Sequence, residues 1–521
     1  MMKRAAVFGW GVVAPRCANI DEFADNLDKG ESWLEPFNGF GPDNFLVGRP
    51  KFDFSVYRPW IEQRFAPSRY SQLVEKMDRT TLYAVGAFIQ ALGQNPGLEQ
   101  ELQALRGEAH VYVGTALGSL PTIYDACRRY ERAQRAWNRF WARPANNAAL
   151  RNYLAGECTA PDGVPPAPDS VPADEREEHE DAWNEFWAQR SDALVSYLAE
   201  LRAIEGLAVE GEVESGKLKV IREKRRRLSA LAQKSGAPEP PWSQVSANVL
   251  WNIANTPASQ ISMLGKITGL CYSPVAACST FSVALKLALD AIERGQAKLV
   301  VLGAADPSPH PITVGAFYSA RVLSADGALS KPLSGLKGTH VSGGSAIWVL
   351  GDLEYCRARG MKPLGMEPLS VGVSADADHI ITPSKEGPRQ AIKSALDRAG
   401  VDAAQIASWD LHATATPGDF QEMDNLSGML PPTVLVTARK GTFGHGMGVG
   451  GGWELTAQYL GYERGRLFAT LLEESELNQT IRQLKQELVF DRPVDFPRGV
   501  VGKLSMGVGG INACVISRPI T

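Results

Sequence analysis

Hydrophobic positions along the chain fall into three regimes. Up to about residue 123, short apolar runs alternate with stretches of helical period. Ala5–Val13 and residues 110–115 have the length and apolar density of strands, and residues 76–92 space their apolar side chains as an amphipathic helix does. From Tyr124 to about Trp242 the chain turns charged and helix-prone, broken by the proline-rich stretch 161–172. After Asn248 the alternation returns: 274–277, 298–303, 345–351, 467–472 and 500–505 read as strands, with helices over 280–294 and 388–399. The pattern predicts an α/β core built from residues 1–123 and 245–521, interrupted by a mainly helical insertion over 124–244.

The insertion holds a short internal repeat, Ala136-Trp-Asn-Arg-Phe-Trp141 and Ala182-Trp-Asn-Glu-Phe-Trp187. In each copy the aromatics sit at i, i+3 and i+4, on one helix face. Two helices packing these faces together or onto the core account for the pattern. The alternative is a docking surface for a partner or an apolar acyl chain. The acidic run 174–180 and the basic run 217–227 read as solvated helix faces.

Composition narrows the class. A chain of 521 residues, 44% hydrophobic and 21% charged, can bury a large core. A net charge of −4 from 54 basic and 58 acidic residues excludes a generally cationic surface, so no nucleic-acid partner is expected. Seven scattered cysteines without a CxxC pair suit a reducing compartment, hence the cytoplasm, and offer no metal cluster. The start, Met1-Met2-Lys3-Arg4, precedes an apolar run interrupted by glycine, and Pro15-Arg16-Cys17 is not a small-residue cleavage site. This segment therefore reads as a first strand rather than a secretion signal. No apolar run reaches the roughly 18 residues that a membrane span needs.

Four stretches carry candidate chemistry. Cys278 lies in Ser273-Pro-Val-Ala-Ala-Cys-Ser-Thr-Phe-Ser282, where small residues give way to a helix-prone run. At such a turn a thiol meets unpaired N–H groups and the positive end of a helix, both of which favour thiolate; the plain alternative is a small core residue. His412 and His445 each sit among small residues in what reads as a strand-end loop, and Lys440 precedes His445 by five positions. The glycine-rich run Lys503-Leu-Ser-Met-Gly-Val-Gly-Gly-Ile-Asn512 lets backbone approach a ligand and turn N–H groups toward it, as an oxyanion hole requires.

Together these stretches resemble the β-ketoacyl-acyl-carrier-protein synthases, the elongating condensing enzymes of the thiolase superfamily. Ala276-Ala-Cys-Ser-Thr280 stands where that family has T-A-C-S-S, and His412-Ala-Thr-Ala-Thr-Pro-Gly-Asp419 where it has H-G-T-G-T-x-x-G-D. Lys440-Gly-Thr-Phe-Gly-His445 matches K-x-x-x-G-H, and Met506-Gly-Val-Gly-Gly-Ile-Asn512 matches F-G-F-G-G-T-N. Phe8-Gly-Trp-Gly-Val-Val-Ala-Pro15 and Lys76-Met-Asp78 extend the likeness over nearly the whole chain outside 124–244. The resemblance implies a thiolase-like α/β fold: two duplicated βαβαβ halves, about 1–300 and 301–521, in a five-layered α-β-α-β-α core.

It also implies roles. Cys278 would take the acyl group, with its own backbone N–H and that of Val508 forming the oxyanion hole. His412 and His445 would stabilise the enolate released from malonyl-acyl-carrier protein, with Lys440 acting behind them. Thr414, Thr416, Met506, Gly507 and Val508 would line the pantetheine path, and Arg321 and Lys76 would meet the carrier protein. No metal or bound cofactor is implied, because phosphopantetheine arrives on acyl-carrier protein or coenzyme A. The family's habit of pairing strands near the nucleophile implies a homodimer, with a heterodimer as the alternative.

Departures from the family pattern point toward a specialised fatty-acid or polyketide-type pathway. The acidic partner for the lysine is expected near Ser342-Gly343-Gly344 and is missing there, which leaves Lys440 without a carboxylate. Lys331-Pro-Leu-Ser334 replaces R-P-F-D, Val508 replaces a gating aromatic, and Ala413 and Ala415 narrow the pantetheine tunnel. Two other functions compete: an acyltransferase or hydrolase that never decarboxylates malonate, and a non-condensing, pocket-shaping subunit of a heterodimer.

Overall fold

A computed structural model describes residues 3–41, 45–208 and 213–520, the side chains of 213–218 excepted; these include the start of the basic run. The chain divides into two compact units, Met1–Pro121 with Leu250–Thr521, and Thr122–Val249.

Among the described residues, ten strands of the first unit build two five-stranded sheets. They are β1 (Ala5–Val13), β2 (Ala109–Gly114), β3 (Cys271–Tyr272), β4 (Leu299–Asp306), β5 (Gly344–Asp352), β6 (Met366–Ala375), β7 (Ile406–Asp410), β8 (Leu435–Thr437), β9 (Val500–Gly507) and β10 (Ile511–Pro519). The strand orders are β3-β2-β4-β5-β1 and β8-β7-β9-β10-β6. In each sheet the three strands at one end are parallel and the two at the other antiparallel, so the halves share one topology. The expected boundary near residue 300 shifts: β4 and β5 complete the first sheet, so the halves meet between Asp352 and Met366.

Six helices position the site: α1 (Arg79–Leu92), α2 (Thr256–Gly265), α3 (Thr280–Glu293), α4 (Glu386–Ala399), α5 (Gly418–Ser427) and α6 (Gly450–Arg464). Phe88 of α1 and Ile261 of α2 pack with Phe8 and Val111 on one face of the first sheet. Phe281 and Leu285 of α3 and Trp453 and Tyr459 of α6 lie between the sheets, against Trp10 and Trp348 on one side and Val501 and Val515 on the other. Ile392 of α4 and Met423 of α5 cover the far face of the second sheet, over Trp409 and Leu504. That is the five-layered α-β-α-β-α core. With both faces covered, the edge strand β1 and the central strand β4 are buried at consecutive positions rather than alternating.

Several local expectations are corrected. The helix foreseen over 76–92 breaks at Met77-Asp78, where the Asp78 carboxylate accepts the Thr80 N–H at 2.8 Å and caps α1. That helix is buried on nearly every side, not amphipathic, because Tyr57 and its neighbours cover its outer face. Residues 274–277 are not a strand; the paired segment is β3, just before them. Over 467–472 only Arg466–Leu467 pairs, with Val494–Asp495. No helix among the described residues is long and apolar enough to cross a membrane.

In the second unit the aromatic repeat is longer than its hexapeptide, since Tyr153 follows the first copy and Tyr197 the second. The tyrosines are exchanged. Tyr197 packs on Trp137 and Trp141 at 5.6 and 5.4 Å between ring centres, and Tyr153 on Trp183 and Trp187 at 6.2 and 5.1 Å. Asn147 sits at the crossing, its Nδ2 donating to the carbonyls of Trp141 at 3.2 Å and Trp187 at 2.6 Å. Trp137, Trp141 and Trp187 are buried, so these faces form the unit's own core, not a docking surface.

Candidate active site

Cys278 is carried on a turn from β3 into α3. Ala277, the residue before it, has a φ of 47°, a left-handed conformation that costs a non-glycine residue about 1–3 kcal/mol. The turn is held by its own hydrogen bonds: the Ala276 N–H donates to Thr280 Oγ1 at 3.0 Å, and that hydroxyl donates to the Ala277 carbonyl at 2.7 Å. Ser279 Oγ donates to the Ile511 carbonyl at 2.8 Å and pins the turn to the β9–β10 hairpin. Gly507 allows this approach, because a Cβ there would stand 2.9 Å from the Ala276 carbonyl oxygen. The Val508 N–H consequently reaches the Cys278 sulfur.

Burial pushes the Cys278 thiol up to about 11, against the opposing pull of the Val508 N–H and of Lys440. This corrects the expectation that the helix end makes thiolate the resting form. Burial outweighs those two pulls, so the sulfur keeps its proton.

His412 follows β7 in a loop that two buried carboxylates of α5 fold. Glu422 accepts the His412 and Ala413 N–H groups at 2.7 and 2.8 Å. Asp419 accepts those of Thr414 and Ala415, and that of Leu333 from another loop. Ala415, where glycine was expected, adopts a φ of 60° within this cradle. The Thr414 and Thr416 hydroxyls lie 2.9 Å apart beside the cavity.

His445 is placed by backbone alone: its N–H donates to the His340 carbonyl at 2.6 Å, and its carbonyl accepts the Ser342 N–H at 2.9 Å. The Met447 N–H donates to His445 Nδ1 at 3.2 Å. Lys440 Nζ lies 3.4 Å from His412 Nδ1 and also donates to the His412 carbonyl. An ammonium and a backbone N–H can only donate, so both Nδ1 atoms accept and both rings carry their proton on Nε2. Burial first, and the Lys440 charge second, hold both imidazoles well below their usual range, hence neutral.

Lys440 has a carboxylate after all, which corrects the expectation drawn from Gly343. Glu454 on α6 places Oε1 2.6 Å from Lys440 Nζ. The place near Gly343 has no room for a side chain, since a Cβ there would stand 1.9 Å from the Pro307 carbonyl oxygen. The same Glu454 meets Lys503 Nζ at 2.7 Å through Oε2.

Cys278, His412 and His445 line one cavity of about 110 Å³, together with Thr414, Thr416, Met506, Gly507 and Val508. Arg321 and Lys76 are exposed and do not line it; the Lys76 ammonium lies 5.4 Å from the Trp251 ring centre. Sequence reasoning missed Phe317 and the segment 376–383, which also line the cavity. It missed Glu422 and Glu454 as well. Glu454 had one signal, an acid standing alone in Gly450-Gly-Gly-Trp-Glu-Leu455, whereas Glu422, set among Asp419, Gln421 and Asp424, had none. Among the described residues no group of three or more His, Cys, Asp and Glu is placed to hold a metal ion.

Comparison with known proteins supplies a family and a fold. The model of the β-ketoacyl synthase N-terminal domain matches residues 224–355, and that of the β-ketoacyl synthase C-terminal domain matches 368–472. The 3-oxoacyl-[acyl-carrier-protein] synthase 2 of Rhizobium meliloti (strain 1021) is 31% identical over 280 residues, which cover 52% of this chain. The match spans 65% of that relative's length. Two solved structures superpose over 100% of both chains at 19% identity: the ishigamide ketosynthase/chain length factor, with a TM-score of 0.70, and a β-ketoacyl synthase from Burkholderia phymatum STM815, with 0.69. At that identity they speak for the fold alone.

Proposed function

Because the chain belongs to the β-ketoacyl synthase family, we infer that it joins an acyl thioester to a malonyl unit by decarboxylative Claisen condensation. The observation that carries this reading is the pair of Nε2–H donors, fixed by what occupies Nδ1, on the cavity that holds Cys278.

The steps follow from charge. Cys278 Sγ attacks the carbonyl of an incoming acyl thioester, and the N–H groups of Cys278 and Val508 receive the developing oxyanion. The C–S bond to pantetheine breaks, and the departing sulfur leaves as a thiol with the proton that Cys278 gives up. A malonyl thioester then enters, its C–CO2 bond breaks, and carbon dioxide departs. The electron pair left behind becomes an enolate whose oxygen accepts from His412 and His445. Two neutral donors suit this step, and losing one such donor costs about 3–4 kcal/mol in comparable sites. The enolate carbon attacks the acyl-Cys278 carbonyl and the C–S bond breaks. The thiolate, whose proton affinity is high, takes one proton from solvent, the proton that the overall reaction consumes.

Phosphopantetheine on acyl-carrier protein or coenzyme A would reach the sulfur past Thr414 and Thr416. Exposed Leu270, Tyr272 and Val275 on and beside the edge strand β3 favour pairing with a second copy. The reading without decarboxylation drew on a missing carboxylate for Lys440, and Glu454 removes that support. Supplying purified protein with an acyl donor and malonyl-carrier protein tests the reading: ketone and carbon dioxide should form together. Acylated Cys278 with neither product would reject it.

A further inference from the structure

One buried cation has no part in the chemistry above. Lys503 lies on the central strand β9 with its side chain wholly buried. Along that strand Leu504 and Met506 pack with the outer helices, whereas Val501 faces the layer between the sheets, and Lys503 shares that inward face. A lysine there is costly unless its charge is met. Its Nζ lies 2.7 Å from Glu454 Oε2 and 3.3 Å from the carbonyl oxygen of Leu411, and it also donates to the Leu504 carbonyl. One carboxylate is thus held between two ammonium groups, an oxygen to each, and the strand end just before His412 is tied to the second of them.

We infer that Lys503 is a positioning residue for the condensation: it clamps Glu454 and the Leu411 carbonyl so that Lys440 stays aimed at His412 Nδ1, and it adds a positive charge behind both imidazoles. This rests on reading His412 and His445 as enolate donors. Lys440 and Glu454 alone cancel in charge; with Lys503 the triad carries one net positive charge. The other titratable groups facing Lys503 are Asp410, raised by burial and met by Arg439, and Glu422. Burial pushes Glu422 up to about 7, against the pull of Lys503 and of the His412 and Ala413 N–H groups, so the imidazole ¹⁵N shifts are read beside the rate to separate the rings from Glu422. The remaining titratable neighbour is Cys514, a thiol that burial keeps protonated. Lys503 and Lys440 both act to keep His412 and His445 unprotonated.

The test compares K503M and K503R with the parent. Acylation of Cys278 is read by mass, and carbon dioxide release from malonyl-carrier protein is read across the pH range and scaled to acylatable Cys278. K503M should acylate normally and keep its KM for malonyl-carrier protein, while kcat for decarboxylation falls about ten- to a hundred-fold. The acid limb of its profile should move up by about one pH unit, because removing a nearby cation eases protonation of the imidazoles. K503R should hold the limb in place and recover most of the rate. Loss of folded protein lowers the amplitude without moving the limb, and K503Q replaces K503M should the latter not fold. A folded K503M or K503Q with the parental rate and limb overturns the inference, as does a loss that K503R fails to recover. If the parent itself releases no carbon dioxide, the reading of the reaction has failed instead. The charge effect is then read from the imidazole ¹⁵N shifts: raised protonation midpoints in K503M support it, and unchanged midpoints overturn it.

Discussion

The rings of His412 and His445 stand 5.4 Å apart at 83° to one another, each with its Nδ1 already engaged by a donor. One ring follows a strand whose loop two carboxylates fold; the other hangs on a backbone clasp to His340 and Ser342. Their Nε2–H groups are therefore fixed before any substrate arrives, which is what electrostatic stabilisation of an enolate requires.

From this division of labour, His445→Ala should separate the two half-reactions. Acylation of Cys278, followed by mass, should stay near the parental rate, while carbon dioxide release should fall about 10²–10³-fold. Equal loss of both activities would place His445 in acyl transfer instead.

Glu454 holds two buried ammonium groups, Lys440 and Lys503, at 2.6 and 2.7 Å. E454Q leaves those like charges facing a neutral amide, so unfolding in urea should occur with stability lower by about 3–5 kcal/mol. Adding K503M to E454Q should recover part of that loss. Strict additivity of the two changes would mean that the residues do not share a charge.

The resting state of Cys278, the proposed nucleophile, is open to a simple titration. With the thiol pushed up to about 11, only a small thiolate fraction exists at neutral pH. Alkylation by iodoacetamide, followed by mass at Cys278, should rise about ten-fold per pH unit from 7 to 9 without levelling. A plateau beginning near pH 7 would show a thiolate already formed.

How much of this was legible beforehand follows from the kind of residue involved. Cys278, His412, Lys440 and His445 stand in short contiguous motifs, so sequence brought them forward. Glu454 lies fourteen positions from Lys440 within Gly450-Gly-Gly-Trp-Glu454 and meets it only because α6 packs against the helical turn that begins at Lys440. Lys503 was visible as a letter but not as a buried charge, since only the pairing of β9 with β7 and β10 decides which way it points. Strands β6 and β10 escaped notice because proline and small residues blur their apolar runs, whereas β1, and β4 up to Ala305, carry no polar side chain. In the insertion the hexapeptide was plain, but the exchange of Tyr153 and Tyr197 between copies is a matter of three dimensions.

That exchange makes Asn147 a sensitive point. Its Oδ1 accepts the Leu150 N–H at 2.9 Å while Nδ2 serves both tryptophan carbonyls. Asn147→Ala should lower the stability read by tryptophan emission by about 2–3 kcal/mol. Asn147→Asp, which keeps the helix cap but turns a buried carboxylate oxygen toward both tryptophan carbonyls, should be no more stable than Asn147→Ala. Both variants should still acylate Cys278. Unchanged stability in Asn147→Ala would mean that the crossing adds nothing.

The most direct test is to load Cys278 with an acyl group, supply malonyl-carrier protein labelled in its free carboxylate, and count both products. One labelled carbon dioxide per β-ketoacyl product is the predicted result. An acyl-Cys278 that persists while the labelled carboxylate stays on the carrier would contradict it.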